Sequence, residues 1–551
     1  MKTTTVGRYL VERLEQCGLR HVFGIPGDYV LGFCDLIVAS RQLQFVGACT
    51  EAGAAFAADA YARVKGLGAI CVTYCVGGLN TLNAVAGAYA EKSPIVVMSG
   101  APGLGERARS PLLHHRVKDF NTQRLIFEKV TVAAEALEDP ATAPTQIEET
   151  LRACLRQKRP VYLELPRDVV DQPCAGPGPL VADRPARDPA ALAEAIEEAT
   201  AMLRRARRPA VLAGVEIHRF GLQESLLELV RRSGFPVAAT LLGKSVISER
   251  HPNYVGVYEG AMGRGDVRRL IEGSDCLLIL GAFMTDINLG VFTARLAVAR
   301  TINATSESIQ IRHHQYNHVP LKEFIDGLAG RAGRFRRPRR RPRPASTARF
   351  RPQKGRRLTI RRFFARMDEF LRDDTIVIAD IGDSLFGAAD LTIHRRTEFL
   401  SPAYYTSMGF AVPAAAGAQL ARPGLRPIVF VGDGAFQMTG QELSMSLRHG
   451  LNPIVFVLNN EGYTTERFIH EGPYNDILNW RYHRFIETLG GGWGCEVRTE
   501  GELEEALATA EGHGREPSLI NVRLDRWDHS LALERLGRRL ARQGGLKPGR
   551  G

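Results

Sequence analysis

Short runs of four to six mostly apolar residues recur along the chain, each closed by a glycine-rich or polar turn and followed by a segment whose apolar residues return every three or four positions. The runs Ala69–Tyr74, Ile95–Ser99, Val161–Leu165, Ala210–Ala213, Cys276–Leu280, Ile376–Ala379, Ile428–Val431 and Ile454–Leu458 read as strands buried on both faces, because a strand with one wet face would alternate apolar and polar residues. Strands of this kind alternating with helical segments predict parallel sheets with helices on both faces. The N-terminal stretch MKTTTVGRYLVERLEQCG carries its apolar residues on a helical period and not as the unbroken apolar core of a signal peptide. No run of about 18 apolar residues suited to a membrane span occurs.

The pattern breaks around residues 175–188 (CAGPGPLVADRPARDP) and again over 331–357. These breaks predict three α/β units, 1–175, 188–330 and 358–535, with a linker at 331–357 and a tail at 536–551; about three domains also suit a chain of 551 residues. Charge sharpens the second break. The net charge is +12, yet residues 331–357 hold 12 Arg and 1 Lys with no acid, so the remainder is near neutral. Arginine and proline at that density bury no core and read as a solvated linker. Phosphate-backbone binding by such a tract is the secondary reading, and it would depend strongly on salt. Nine cysteines without a CxxC pair, in a chain too large to need disulfide staples, suit a reducing cytoplasm.

The richest stretch is PIVFVGDGAFQMTGQELSMSLRHGLNPIVFVLNN, residues 427–460. Pro427–Val431 and Pro453–Val457 read as parallel strands joined by a right-handed crossover helix. Thr439 and Glu442 have capping-box spacing, Leu443 and Leu447 share a face, and Gly450 supplies a stop. Both strands then finish at one sheet edge, where ligands of open α/β sheets sit, about 4.8 Å apart. Asp433 and Asn460 would reach a single ion. With the Gly462 carbonyl they form a set of hard oxygen donors suited to Mg²⁺ or Ca²⁺, and Gly432 and Gly434 leave room for a phosphate beside a helix start. The stretch reads as a metal-bridged diphosphate holder.

The spacing from GDG to NN resembles that of thiamine-diphosphate enzymes, and NNEGYTTE (459–466) with YNDILNW (474–480) resembles the 2-keto acid decarboxylases of pyruvate, indolepyruvate and phenylpyruvate. FGIPGD (23–28), TEAGAAFAADAYAR (50–63), LLHH (112–115), RPVYLELPRD (159–168), HPNYVGVYEG (251–260), IGDSLF (381–386) and TSMGF (406–410) are similar to the same family. Only the basic tract falls outside it. The resemblance implies a pyrimidine-binding domain (1–175), a middle domain (188–330) and a diphosphate-binding domain (358–535). The implied reaction is non-oxidative decarboxylation of 2-keto acids to aldehydes and CO₂ through a thiamine-diphosphate enamine.

It also implies roles. Glu51 would protonate N1′ of the aminopyrimidine, Met408 would bend the cofactor, and the Thr406 carbonyl would accept from its 4′-amino group. Asp28, His114, His115 and Glu466 would handle protons. Gly382, Asp383, Asp433, Gly434, Ala435, Asn460, Gly462 and Tyr463 would contact the cofactor, with Ala435 standing where many relatives carry serine, and Asp433, Asn460 and Gly462 would hold Mg²⁺ or Ca²⁺. Ile381, Leu385, Thr465 and Ile469 would wall the substrate pocket. Thr465 is smaller than the isoleucine found there in some pyruvate enzymes and Leu385 smaller than the aromatic found there in others, which favours aromatic or longer keto acids. A homodimer or tetramer with the site at the subunit interface is implied as well. The alternatives are an acetolactate-synthase-like carboligase on the same fold and a catalytically silent polyanion binder.

Overall fold

The computed structural model describes residues 3–179, 186–336, 349–394 and 399–536. Parts of the first junction (180–185) and of the arginine-rich tract (337–348) and nearly all of the tail lie outside these residues. Every strand predicted from an apolar run occurs, with ends shifted by two residues or fewer.

The first sheet runs in the order Gln44–Gly47, His21–Gly24, Gly68–Val72, Ile95–Ala101, Val161–Pro166, Ala134–Ala136, all parallel. The last sheet has the order Phe399–Leu400, Thr375–Ala379, Arg426–Gly432, Ile454–Asn459, Ser518–Arg523, Trp493–Val497, again all parallel. Its strands are apolar throughout because both faces are covered: Val429, Val431, Val455 and Val457 join one core, and Ile428, Phe430, Ile454 and Phe456 join another. This is the period of two expected when successive side chains point to opposite faces.

The middle sheet departs from the prediction of purely parallel sheets. After five parallel strands, Ser308–Ile311 and His314–Asn317 add as an antiparallel hairpin at one edge, turning at Arg312 with φ +56°. Only Ile309, Ile311 and Tyr316 of this segment are buried. A one-sided edge hairpin needs no apolar run and so leaves none in the sequence.

The first and last domains share one core. The alanine-rich helices Glu51–Lys65 and Ala411–Ala421 pack against each other there, so closely that a Cβ on Gly417 would lie 1.9 Å from the Ala57 carbonyl oxygen. This contact ties the TEAG segment rigidly to the sheet that carries the GDG segment. Among the described residues no helix is long and apolar enough to cross a membrane.

Candidate active site

Register brings the two polar strand ends together. Ile428 pairs with Ile454 and Gly432 with Leu458, so Asp433 and Asn460 emerge side by side at the carboxyl edge. Asp433 opens the helix Asp433–Thr439. Its Oδ1 accepts from its neighbour Gly434 N at 2.8 Å and its Oδ2 from Gly462 N at 3.1 Å. Burial pushes the carboxyl up to about 6, against the lowering effect of those N–H groups. A buried carboxylate with so little solvation is costly unless a cation joins it.

These residues open onto a cavity of about 810 Å³. Gly382, Asp383, Thr406, Met408, Gly434, Ala435 and Tyr463 line it together with Asp433, Asn460 and Gly462, as do Ile381, Thr465, Glu466 and Ile469. Beside Gly432 an added Cβ would meet nothing within 4 Å, whereas at Gly434 it would come within 2.3 Å of the Tyr463 ring. The chain thus keeps open space at one glycine of GDG and an aromatic wall at the other. Together with the all-oxygen donor set, this fits a diphosphate bridged by a hard divalent cation. Thr406 has φ +58°, a conformation uncommon for a non-glycine residue and held only where neighbours enforce it.

Those neighbours were not apparent in the sequence. Glu91, fully buried, accepts from Tyr404 N at 2.8 Å and Tyr405 N at 2.9 Å and is paired with Arg63 at 2.7 Å. Asp380, also enclosed, accepts from Ile381 N, Gly409 N and Ala411 N at 2.9–3.2 Å, and burial raises its carboxyl to about 6. The two carboxylates grip the Thr406–Met408 turn from either end. An isolated acid in an apolar run carries no spacing signal that would have revealed this.

The first-domain residues gather elsewhere. Glu51 begins the helix Glu51–Lys65, which Thr50 caps by accepting from Gly53 N at 2.9 Å. Its Oε2 accepts from Asn80 Nδ2 at 2.7 Å. Asp28, His114 and His115 form a separate cluster, with His114 Nε2 2.7 Å from Asp28 Oδ2 and the two imidazoles edge to face at 4.8 Å. His115 has φ +65°, and its buried Nδ1 has no hydrogen-bond partner among the described residues. None of these four residues lines the cavity of its own chain.

Two expectations need correction. Thr439 and Glu442 do not form a capping box. The crossover is broken into the helix Asp433–Thr439, a 3₁₀ turn Gly440–Glu442 and the helix Leu443–Arg448, and both side chains reach outward. Thr439 Oγ1 donates to Gly409 O at 2.8 Å. The Glu442 carboxylate accepts from Cys49 N, Thr50 N and Thr50 Oγ1 at 2.8–3.0 Å, and it fills the space where a Cβ of Gly53 would otherwise sit. The GDG helix is therefore bonded through Thr439 to the turn carrying Met408, and the 3₁₀ turn that follows it is bonded through Glu442 to the helix start carrying Glu51. Leu385, expected on the pocket wall, is fully buried in the core of the last domain. The short helix Asp383–Ala388 instead turns Ser384 and Phe386 to the cavity. Asp383 is itself engaged by the C-terminal segment, accepting from Ser530 N at 2.8 Å and from the Ser530 hydroxyl.

Comparison with known proteins agrees with this layout. Residues 4–123 match the N-terminal TPP binding domain of thiamine pyrophosphate enzymes, residues 196–327 their central domain and residues 380–522 their C-terminal TPP binding domain. The chain is 33% identical to a probable pyruvate decarboxylase of Schizosaccharomyces pombe, over 99% of this chain and 97% of that one. It is 38% identical to the indole-3-pyruvate decarboxylase of Azospirillum brasilense (91% and 92% covered) and 35% identical to an alpha-keto-acid decarboxylase of Mycobacterium avium (95% and 94%). With the GDG and NN strand ends registered at one cavity and similarity running along nearly the whole length, the chain belongs to the thiamine-diphosphate-dependent 2-keto acid decarboxylases.

Proposed function

We propose that this decarboxylase prefers aromatic or longer-chain 2-keto acids to pyruvate and works through sites completed by a second copy of the chain. The observation that carries the preference is the apolar far side of the cavity. Ile287, Val291, Phe386 and Leu536 line it, backed by Met262, Phe468 and Leu533 in one packed cluster, and no Lys or Arg is among the lining residues. Thr465 is the small residue facing Gly382, its Oγ1 3.4 Å from where a Cβ would be. Each substrate CH₂ desolvated there gains about 0.8 kcal/mol, so phenyl or indole gains more than methyl as long as it fits.

Bound thiamine diphosphate supplies the carbon that adds to the keto group and a ring that accepts the electrons left when CO₂ departs. The Asp433 carboxylate, Asn460 amide and Gly462 carbonyl would hold Mg²⁺, with Gly434 and Tyr463 alongside the diphosphate. The Thr406 carbonyl would accept from the aminopyrimidine while Met408 supports its bend. Glu51 would keep a proton at N1′. Asp28, His114, His115 and Glu466 would hold and return the proton that ends up on the aldehyde carbon, a task suited to clustered carboxylates and imidazoles.

A second copy is required on this reading because Glu51 and the Asp28–His114–His115 cluster lie off the cavity of their own chain. Exposed apolar residues mark both surfaces to be covered: Leu112 (96% exposed), Val76 and Val117 near the first set, and Leu478 (77%), Tyr474 and Trp480 past the NNEG segment. Exposed apolar groups of this kind are a mark of interfaces.

Steady-state assay of pyruvate, phenylpyruvate, indolepyruvate and 2-oxooctanoate, with aldehyde and carboligation products both quantified, tests the preference. The expected kcat/KM for phenylpyruvate exceeds that for pyruvate by about tenfold or more, and Thr465→Ile should narrow the ratio by about tenfold. A wild-type preference for pyruvate that Thr465→Ile leaves unchanged would refute it.

A further inference from the structure

Arg467 heads the large side chains that are fully enclosed among the described residues, at 0% exposure. It belongs to the helix Thr464–Ile469, whose residues Thr465, Glu466 and Ile469 face the cavity, and it turns the opposite way. Its Nη1 donates to Asn460 O at 3.0 Å and to Arg526 O at 3.3 Å, while Nη2 donates to Glu461 O at 2.7 Å and to Asp476 Oδ1 at 2.8 Å. The Nε atom is buried without a partner among the described residues.

Sealing a guanidinium inside a fold is expensive, and an apolar side chain of similar length would fill the same space at lower cost. What an apolar side chain would not do is fix the loop that follows the strand Ile454–Asn459. Glu461 has φ +62° and Gly462 φ +146°. A Cβ at Gly462 would lie 2.0 Å from Asn475 O and 2.5 Å from Arg467 Nη2. The loop is thus pinned from behind by Arg467, on the carbonyls of residues 460 and 461, and from the front by Asp433 Oδ2 on Gly462 N. With those two carbonyls occupied, the Asn460 side chain and the Gly462 carbonyl remain for an ion.

We infer that Arg467 is a positioning residue that sets the cation selectivity of the diphosphate site; this rests on the metal assignment proposed above. Mg²⁺ demands near-octahedral ligands at about 2.0–2.1 Å, whereas Ca²⁺ accepts looser shells at about 2.3–2.6 Å. A loop held at both ends resists the expansion that Ca²⁺ needs. Released from Arg467, the loop relaxes, Mg²⁺ loses its preorganised ligands, and Ca²⁺ loses little.

The test uses the full chain with thiamine diphosphate, titrated with Mg²⁺ or Ca²⁺ and followed by calorimetry, with circular dichroism and Tm recorded for each variant. Arg467→Met keeps the unbranched stem but removes the guanidinium and every hydrogen bond it makes, and Arg467→Lys keeps the charge but loses the fork that spans the two carbonyls and Asp476. In both, half-saturating Mg²⁺ should rise by about tenfold or more and half-saturating Ca²⁺ by less than about threefold. Should the methionine variant not fold, the lysine variant decides. An equal rise for both ions would mean general loosening and would overturn the inference, as would a lysine variant that keeps wild-type selectivity. Wild-type protein that takes up no cofactor with either ion would instead overturn the metal assignment beneath it.

Discussion

Asp433→Ala should abolish cofactor retention while leaving the fold intact. Asp433 is the one charged group in the proposed donor set, and without it two neutral oxygens would face the cation. Half-saturating Mg²⁺ should rise by about 100-fold or more, and aldehyde production should vanish at ordinary cofactor concentrations. The strands Arg426–Gly432 and Ile454–Asn459 remain paired over five residue positions whatever stands at 433, so the far-UV spectrum should be unchanged. Calorimetry that returned wild-type affinity for thiamine diphosphate and Mg²⁺ would remove Asp433 from the metal site.

Glu51→Gln should separate binding from chemistry. The amide keeps the size of the side chain and an oxygen to accept from Asn80 Nδ2, now at 2.7 Å from the carboxylate, so cofactor affinity should change only a few-fold. It provides no acid at N1′, and general acid–base contributions of this kind are worth about 10²- to 10⁴-fold. Exchange of the cofactor C2 proton for deuterium, measured by quenched NMR, should slow by about 100-fold or more, with kcat falling in parallel. Glu51 has no such role if the exchange rate is that of the wild type.

Asp433 stands in a dense local signal, a carboxylate between glycines after an apolar strand, whereas Glu51 is singled out only by the resemblance of its segment, TEAGAAFAADAYAR, to the family. The strands were legible because burial on both faces leaves unbroken apolar runs such as Ile428–Val431. What escaped are groups whose partners are remote in sequence. The spacing of Glu442 from Thr439 predicts a local cap, yet its carboxylate serves the backbone of residues 49 and 50. Glu91 and Asp380 hold turns about 310 and 30 residues away, and Arg467 looks like an ordinary helix cation until its burial is known. Phe386 faces the cavity in place of Leu385 through the rotation of one helical turn, which apolar patterning does not specify when neighbours are equally apolar. The hairpin Ser308–Asn317 is one-sided and left no run to find.

The central claim is that each decarboxylating site takes Glu51 from one copy of the chain and Asp433 from another, and subunit complementation tests it most directly. Glu51→Gln and Asp433→Ala are each expected to be inactive alone. Dissociated, mixed in equal amounts and reassociated with thiamine diphosphate and Mg²⁺, they form mixed pairs in which one site is built wholly from intact residues and the other carries both lesions. Random pairing should then restore about a quarter of the wild-type rate of CO₂ release from phenylpyruvate. Mixed pairs that are shown by native mass spectrometry to form, yet release no more CO₂ than the separate variants, would contradict the account.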